Sequence, residues 1–336
     1  MATAGVLGAS GYAGTELLGI LAGHGQMELV VAGAHRSAGI TVAQHQPSLA
    51  PAYPDLVMLE ASPESVSGLD VVFLALPHGE SQQMMRLFGP EQTIIDLSAD
   101  FRTGAKAYEH WYGSPHQAAE LCDEFVTGVV ERSRKQLQGA KRIAVPGCYP
   151  TASTLALGPL LDRGLIESSG IVIDAVSGVS GAGRSSAEAY GFSQIDEDFK
   201  AYGLFDHRHT GEIQDLLNAE VIFTPHLAPM VRGMLVTCYA RPKASVTADQ
   251  LQAAMREAYQ DEAFVTLTPH APSTKWTAHS NAAFVWVGLD ERTGWVVAMA
   301  AIDNLGKGAA GQAVQAANVA LGFSETEGLS TIGSFP

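Results

Sequence analysis

Three glycines near the start of the chain constrain its fold more than any other feature of the sequence. Gly8, Gly11 and Gly14 follow a short apolar run and precede a stretch of helical spacing that begins at Thr15. Glycine permits a tight turn between strand and helix, and it lets backbone N–H groups approach a pyrophosphate at the helix N-terminus. The spacing also occurs in ordinary glycine-rich turns, so its position after the first strand carries the prediction of a dinucleotide site.

Further apolar runs repeat this arrangement through the first part of the chain. Residues 27–34, 70–76, 93–97 and 142–145 each have the composition of a buried strand. Strands that alternate with helical stretches such as 81–88 indicate right-handed βαβ crossovers and a parallel sheet. We therefore predict a Rossmann-like N-terminal domain.

The chain changes character after Cys148. Later runs such as 170–176 and 233–241 show the β-branched alternation of an antiparallel or mixed sheet, one face of which can stack on a partner. The predicted fold class is α/β. It has a Rossmann-like parallel sheet domain, residues 1–147 and 313–336, and a second α+β domain on a mixed sheet, residues 148–312, for catalysis, substrate binding and oligomerisation.

The end of the second strand indicates which dinucleotide binds. An NAD site usually has an acidic residue there for the ribose 2′-hydroxyl, whereas this chain has Arg36 and Ser37 and no acid. Arg36 can pair with a 2′-phosphate, although it could also be a solvated loop charge. We predict NADP(H) as the cofactor, with a loop facing it at the carboxyl end of the sheet. The contacts expected from the first domain are Gly8, Ser10, Gly11, Tyr12, Ala13, Gly14, Arg36, Ser37 and Pro77.

Cys148 is the candidate nucleophile among three cysteines. It follows Pro146-Gly147 and stands at the start of a predicted helix, where free N–H groups and the helix dipole stabilise a thiolate. The alternative, a buried unreactive thiol, is expected for Cys122 and Cys238. An odd number of widely spaced cysteines excludes a disulfide framework and favours a reducing compartment. A thiolate beside a nicotinamide would attack an aldehyde or an activated acyl group.

The motifs around Gly11 and Cys148 together resemble the N-acetyl-gamma-glutamyl-phosphate reductase family of arginine biosynthesis. The stretches that carry the resemblance are Gly8-Ala9-Ser10-Gly11-Tyr12-Ala13-Gly14, Pro146-Gly147-Cys148-Tyr149-Pro150-Thr151, 177–184, 207–213 and 224–233. The resemblance implies NADPH-dependent reduction of N-acetyl-gamma-glutamyl phosphate to N-acetyl-L-glutamate 5-semialdehyde and phosphate, through a cysteine thioester. The alternatives are aspartate-semialdehyde dehydrogenase, a lysine-pathway acyl-phosphate reductase and an NADP(H)-sensing regulatory protein.

Such a reaction needs a general acid for the oxyanion, and imidazole has a suitable pKa. His207 and His209 would point the same way on an extended segment. We prefer His209 as the acid and base because it lies nearest the helix predicted to begin at Glu212, and His207 is its rival. Histidines that only pack or cap the loop are the alternative reading.

The implied substrate carries two anionic groups. Arg184, after a glycine-rich stretch, and Arg232 are candidates to hold them, although Arg232 could be a surface ion-pair partner. Glu212 could orient a histidine, bind the substrate amide or complement the helix dipole. Three further residues complete the expected cofactor contacts: Ser180, Gly181 and Asn304. Asn304 could hydrogen-bond the nicotinamide carboxamide.

The charge balance bears on partners. Twenty basic and thirty-five acidic residues give a formal net charge of −15, which disfavours nucleic acid and membrane surfaces. No signal peptide or membrane span is evident, so we expect a cytoplasmic enzyme with a small-molecule substrate, in a homo-oligomer that could be a dimer or a tetramer. No third ligand lies near His207 and His209 in the sequence, so no metal is expected.

Overall fold

The chain folds into two compact units. The computed structural model describes residues 1–184 and 190–334. One unit consists of Met1–Pro146 and Ala309–Leu329, and the other of Gly147–Gly308 and Ser330–Pro336. Each unit has a seven-stranded sheet and its own buried apolar core.

The first unit is built on a parallel sheet. Its strands are β1 (Ala2–Leu7), β2 (Met27–Ala34), β3 (Leu59–Glu60), β4 (Val71–Leu74), β5 (Thr93–Asp96), β6 (Val126–Thr127) and β7 (Arg142–Ala144). Their order is β3-β2-β1-β4-β5-β7-β6, with every pair parallel. The order reverses between β1 and β4, which is the point where this topology opens a crevice for ligands. The predicted Rossmann-like domain is thereby confirmed.

Short helices join these strands. They are α1 (Tyr12–Ala22), α2 (Val42–His45), α3 (Glu80–Met84), α4 (Ala105–Tyr112) and α5 (Val130–Leu137). The helix predicted at 81–88 ends early because Met85–Leu87 tightens into a 3-10 turn. Helices α4 and α5 were not predicted, because α5 has few apolar side chains and α4 buries only Tyr108.

The second unit is built on a mixed sheet, as predicted. Its strands are β8 (Ile171–Gly178), β9 (Lys200–Ala201), β10 (Val221–Ala228), β11 (Met234–Ala240), β12 (Val265–Leu267), β13 (Ala283–Asp290) and β14 (Trp295–Ile302). The order is β12-β13-β14-β11-β8-β10-β9, in which only β8–β10 and β12–β13 are parallel. Residues along the central strands alternate between buried and half-exposed, so the two faces of this sheet have different surroundings.

Helices cover one face of the mixed sheet. They are α6 (Cys148–Asp162), α8 (His209–Leu217) and α9 (Ala248–Tyr259). The one-turn helix α7 (Phe192–Ile195) buries no residue, and α10 (Gly311–Leu321) returns to the first unit. Every residue of α6 from Tyr149 to Leu160 is buried. A helix enclosed on all sides is held by packing rather than by an amphipathic stripe. Among the described residues, no helix is both long and apolar enough to cross a membrane.

Candidate active site

The glycine turn in the first unit depends on the absence of side chains. Gly8 has a φ of +90°, and a Cβ there would lie 2.1 Å from the carbonyl oxygen of Ala75. A Cβ on Gly14 would lie 2.1 Å from the carbonyl oxygen of Gly8. Both positions therefore require glycine, for the left-handed conformation and for the close backbone approach respectively.

The turn leads into an uncapped helix. Gly11 is the N-cap of α1 and offers no side chain to the first-turn N–H groups, which include those of Tyr12 and Ala13. The first helical hydrogen bond runs from the N–H of Thr15 to the carbonyl of Gly11. The open N–H groups and the glycine cradle fit a pyrophosphate.

The end of β2 carries the two residues predicted to distinguish NADP(H) from NAD(H). Arg36 is exposed and makes no hydrogen bond or ion pair with the residues that the structure describes. Ser37 lies with its Oγ 3.5 Å from Nδ1 of His45, and Nε2 of His45 is 3.2 Å from the carbonyl oxygen of Ser10. An exposed guanidinium next to a hydroxyl fits a 2′-phosphate.

A buried carboxylate holds the loop that contains Pro77. Pro77 itself is exposed. The N–H of Gly79 donates to both carboxylate oxygens of Asp100, at 2.7 and 3.0 Å, and the N–H of Gln82 donates to Oδ2 at 3.2 Å. Asp100 thereby caps the start of α3 and fixes the loop at the carboxyl end of β4. Asp100 was not predicted as a site residue, because its partners lie 21 and 18 residues away in the sequence.

Asp96, at the end of β5, makes the stability of the first unit depend on pH. Burial, and then the Asp100 charge, raise the pKa of Asp96 from 3.8 to about 6. A raised carboxyl pKa favours the folded state at low pH, and this contribution is lost as the pH rises from about 4 through 6. As the pH rises from 4 to 8, the free energy of unfolding of Asp96→Asn should therefore increase by roughly 3 kcal/mol relative to that of the wild type. Urea unfolding of both proteins across this range measures the difference, and parallel pH profiles would contradict it.

Cys148 is the first residue of α6 and is half-buried. The residue before it, Gly147, is the N-cap, and its N–H donates to Oε1 of Glu212 at 2.7 Å. Glu212 lies in the first turn of α8 and is 3% exposed. A buried carboxylate from one helix thus fixes the backbone immediately before the candidate nucleophile.

A glycine in the π-helical turn Gly306–Ala310 packs directly against Cys148. A Cβ on Gly308 would lie 2.7 Å from Cβ of Cys148 and 3.2 Å from the carbonyl oxygen of Asp303. The N–H of Gly308 donates to that same carbonyl at 2.9 Å. Only glycine fits this position. The close approach of the turn limits the space on one side of the Cys148 side chain.

The two histidines have different environments, and the prediction that both lie on an extended segment is wrong. His209 is the first residue of α8, and its N–H donates to Nδ1 of His207 at 3.1 Å. The ring of His207 packs edge-on against Tyr149, Tyr202 and Phe223, with centroids 5.7, 5.4 and 5.3 Å away. Burial, and then the Arg208 charge, lower the pKa of His207 from 6.5 to about 4.

Tyr149 connects the thiol to both histidines. It follows Cys148 in α6 and lies edge-on to His209, with ring centroids 5.9 Å apart. Its hydroxyl is 3.1 Å from that of Tyr202 and donates to the carbonyl of His226 at 3.2 Å. The side chain of Tyr149 is 2% exposed, so its ring is held in a fixed position where α6 packs against α8.

The arginines predicted to bind anions differ in exposure. Arg232 is 15% exposed and contacts Oδ2 of the fully buried Asp303 through Nη1 at 3.2 Å. Asp303 also accepts from the N–H groups of His279, Leu305 and Gly306. Arg184 is exposed and lies just before residues 185–189, which fall outside the described part of the chain. The buried carboxylate of Asp303 thus orients the guanidinium of Arg232. Asp303 was not predicted as a site residue.

Asn304 joins two loops of the second unit. Its Oδ1 accepts the N–H of Gly233 at 2.8 Å, and its Nδ2 donates to Oγ of Ser180 at 2.9 Å. Gly181 follows Ser180 in a 3-10 turn, where a Cβ would lie 2.6 Å from Oγ of Ser177. Asn304 and Ser180 are therefore hydrogen-bonded to each other, Gly181 packs beside them, and the contact of all three with a cofactor stays a prediction.

Comparisons with known proteins cover both units. Residues 3–140 match the NAD binding domain of semialdehyde dehydrogenase, and residues 148–304 match the semialdehyde dehydrogenase dimerisation domain. A curated relative from Symbiobacterium thermophilum, named N-acetyl-gamma-glutamyl-phosphate reductase, is 45% identical over 340 residues, 98% of this chain and 97% of the relative. One of the same name from Streptomyces coelicolor is 44% identical over 345 residues and 99% of each chain.

Solved structures share the fold at lower identity. Aspartate semialdehyde dehydrogenase II from Vibrio cholerae superimposes with a TM-score of 0.70 at 17% identity, over 96% of this chain and 98% of that one. The Candida albicans aspartate semialdehyde dehydrogenase, solved with NADP, gives a TM-score of 0.69 at 17% identity, over 95% and 98%. These likenesses show the architecture of the chain.

Proposed function

The chain belongs to the N-acetyl-gamma-glutamyl-phosphate reductase family, and from this membership we propose that it reduces N-acetyl-gamma-glutamyl phosphate with NADPH to N-acetyl-L-glutamate 5-semialdehyde and phosphate. The observation that carries the proposal is the near-complete coverage by such relatives, together with a half-buried cysteine at the start of an enclosed helix. The proposed reaction makes the protein an NADP-dependent oxidoreductase of amino-acid biosynthesis.

The residues of the first unit suit NADP(H). The glycine cradle and the open N–H groups of α1 would hold the pyrophosphate, and Arg36 and Ser37 would hold the 2′-phosphate. When bound, NADPH supplies the hydride that reduces an acyl carbon. Asp100, which fixes the Pro77 loop, has a positioning role in this assignment.

Cys148 is the nucleophile in this proposal. Its thiolate attacks the acyl carbon, a carbon–sulfur bond forms, and the bond from carbon to the phosphate oxygen breaks, with its electron pair leaving on phosphate. The N-terminus of α6 stabilises the thiolate. Glu212 acts on Cys148 through the N–H of Gly147, so we assign it a positioning role rather than a substrate contact.

His209 is the general acid and base. It protonates the oxygen of the Cys148-bound carbon after reduction, and it takes that proton back when the carbon–sulfur bond breaks and the aldehyde leaves. Burial and the Arg208 charge lower the pKa of His207 to about 4, which favours its neutral imidazole, so we assign the proton transfer to His209. His207 instead positions His209 by accepting its N–H.

The anionic ends of the substrate require cations. Arg232 is the better oriented of the two candidates because the buried Asp303 directs its guanidinium. Arg184 is the second, and its exposure leaves it accessible to a ligand. We assign one arginine to the carboxylate and the other to the phosphate.

The reverse reaction tests the proposed activity. The protein is mixed with NADP⁺, inorganic phosphate and N-acetyl-L-glutamate 5-semialdehyde, and NADPH formation is followed by its absorbance. We expect turnover that requires phosphate and is much slower with aspartate semialdehyde. Equal turnover of the two aldehydes, or none with the acetylated one, would contradict the proposed substrate.

The half-exposed face of the mixed sheet is proposed to pair with a second copy of the chain. Its apolar members include Val176, Leu235, Tyr239, Trp286 and Met299. The match of residues 148–304 to a dimerisation domain supports this assignment. Two such faces would stack as sheets do in a sandwich.

Leu235→Lys should therefore convert the protein to a species with the mass of one chain, 35.3 kDa. The new charge would be buried between two sheets without a partner. Leu87→Lys, at a 65% exposed site of the first unit, is the matched control and should leave the mass unchanged. Light scattering after size-exclusion chromatography measures both. An unchanged mass for Leu235→Lys would refute this interface.

The three thiols support a reducing compartment. Cys122, Cys148 and Cys238 are all free. We accordingly propose that the enzyme works in the cytoplasm, where thiols stay reduced and a nucleophilic cysteine stays active.

A further inference from the structure

His35 lies between β2 and Arg36, and both of its ring nitrogens contact carboxylates. Nδ1 is 3.1 Å from Oε1 of Glu60, and Nε2 is 2.9 Å from Oε2 of Glu80. Glu60 ends β3, where the register pairs it with Ala34 at the end of β2. Glu80 is the first residue of α3. Three segments thus bring two carboxylates and one imidazole to the strand end that carries Arg36.

This pair of carboxylates is unfavourable for the ligand proposed to bind there. The side chains of His35, Glu60 and Glu80 are 45%, 67% and 33% exposed, so their charges face solvent and anything bound at this edge. An unneutralised carboxylate repels a phosphate. An acidic residue at the end of β2 favours a ribose 2′-hydroxyl over a 2′-phosphate, and Glu60 and Glu80 bring carboxylates close to that strand end from β3 and α3.

The imidazole offsets these charges. The hydrogen bonds that the ring donates to Glu60 and then to Glu80 raise the pKa of His35 above its ordinary value of 6.5, which favours the cationic ring. A cation with a carboxylate on each side removes much of the negative potential that the pair would otherwise present. His35 and Arg36 therefore have different tasks, since Arg36 attracts the phosphate and His35 removes a repulsion.

We propose that His35 determines coenzyme specificity by neutralising Glu60 and Glu80, so that the site beside Arg36 accepts a 2′-phosphate. The proposal rests on the 2′-phosphate contact assigned to Arg36. It makes His35 a positioning and charge-balancing residue that need not touch the coenzyme. The ligand class it selects is a nucleotide with a 2′-phosphate.

Calorimetric titration of the full-length protein with two coenzyme fragments tests this role without any turnover. Adenosine 2′,5′-bisphosphate and 5′-AMP differ only in the 2′-phosphate. His35→Gln should weaken bisphosphate binding roughly three- to tenfold and leave 5′-AMP binding unchanged. His35→Lys, which keeps the positive charge, should retain the wild-type preference.

Removal of the carboxylates provides the decisive control. Adding Glu60→Gln and Glu80→Gln to His35→Gln should restore bisphosphate affinity, because the repulsion disappears with the charges. A purely structural role for His35 would not be rescued in this way. Parallel weakening of both fragments, or failure of the rescue, would overturn the proposal.

Arg36→Ala in the same titration separates this inference from the function it rests on. If Arg36→Ala weakens both fragments equally, the 2′-phosphate contact itself is wrong. If it weakens only the bisphosphate while His35→Gln weakens neither, the contact stands and the role of His35 is refuted.

Discussion

Replacing Cys148 by serine should lower kcat by on the order of 10⁴-fold or more, while binding of NADP⁺ stays unchanged. A serine hydroxyl at the N-terminus of α6 is a much weaker nucleophile than a thiolate, so the covalent step fails. The residues assigned to the coenzyme belong to other loops and keep their conformation. Initial rates in the reverse assay and a calorimetric titration with NADP⁺ measure the two effects.

The other two cysteines provide matched controls for this substitution. Burial raises the pKa of Cys122, and burial likewise raises that of Cys238 far above its ordinary value, so both remain thiols at working pH. Cys122→Ser should retain near wild-type kcat. Turnover by Cys148→Ser at the wild-type rate would exclude the thioester route.

Replacing His209 by asparagine should lower kcat roughly 10²- to 10⁴-fold and remove one limb of its pH profile. Asparagine keeps a polar side chain at the first position of α8 but cannot exchange a proton near neutral pH. Steady-state kinetics between pH 5 and pH 9 would show both the loss and the changed profile. Circular dichroism would establish that the fold is retained.

His207→Asn is the comparison that separates the two histidines. Burial and the Arg208 charge lower the pKa of His207 to about 4, so we expect a titration near neutrality to persist when this residue is removed. We expect a smaller fall in kcat, due to the lost contact with the N–H of His209, and a pH profile that keeps both limbs. A profile that loses its limb in His207→Asn and keeps it in His209→Asn would reverse the assignment.

Local patterns predicted the architecture well. The apolar runs predicted the longer strands of the Rossmann-like sheet but not the two-residue strands β3 and β6, and the alternation beyond Cys148 predicted the mixed sheet. The helix predicted to start at Cys148 does so because Gly147 serves as its N-cap. These features depend on neighbours in the sequence, which is why periodicity and glycine placement suffice to find them.

Contacts across long stretches of chain could not be predicted in this way. Glu212 meets Gly147 across 65 residues, and Arg232 meets Asp303 across 71. No local pattern distinguishes a carboxylate that binds ligand from one that holds a backbone N–H. The extended reading of the two histidines failed for a related reason, because the start of α8 is fixed by packing around Tyr149.

The enclosure of α6 makes the backbone at Cys148 as rigid as the core in which the helix is packed. Since residues Tyr149–Leu160 are all buried, the helix that carries the half-buried thiol cannot shift without disturbing the packing around it. Amide hydrogens along this helix should exchange only when that unit opens globally. Substitutions that loosen the core far from the thiol should consequently lower specific activity before they unfold the protein. The same packing thus determines both the tolerance of the chain to mutation and the geometry of its catalytic residues.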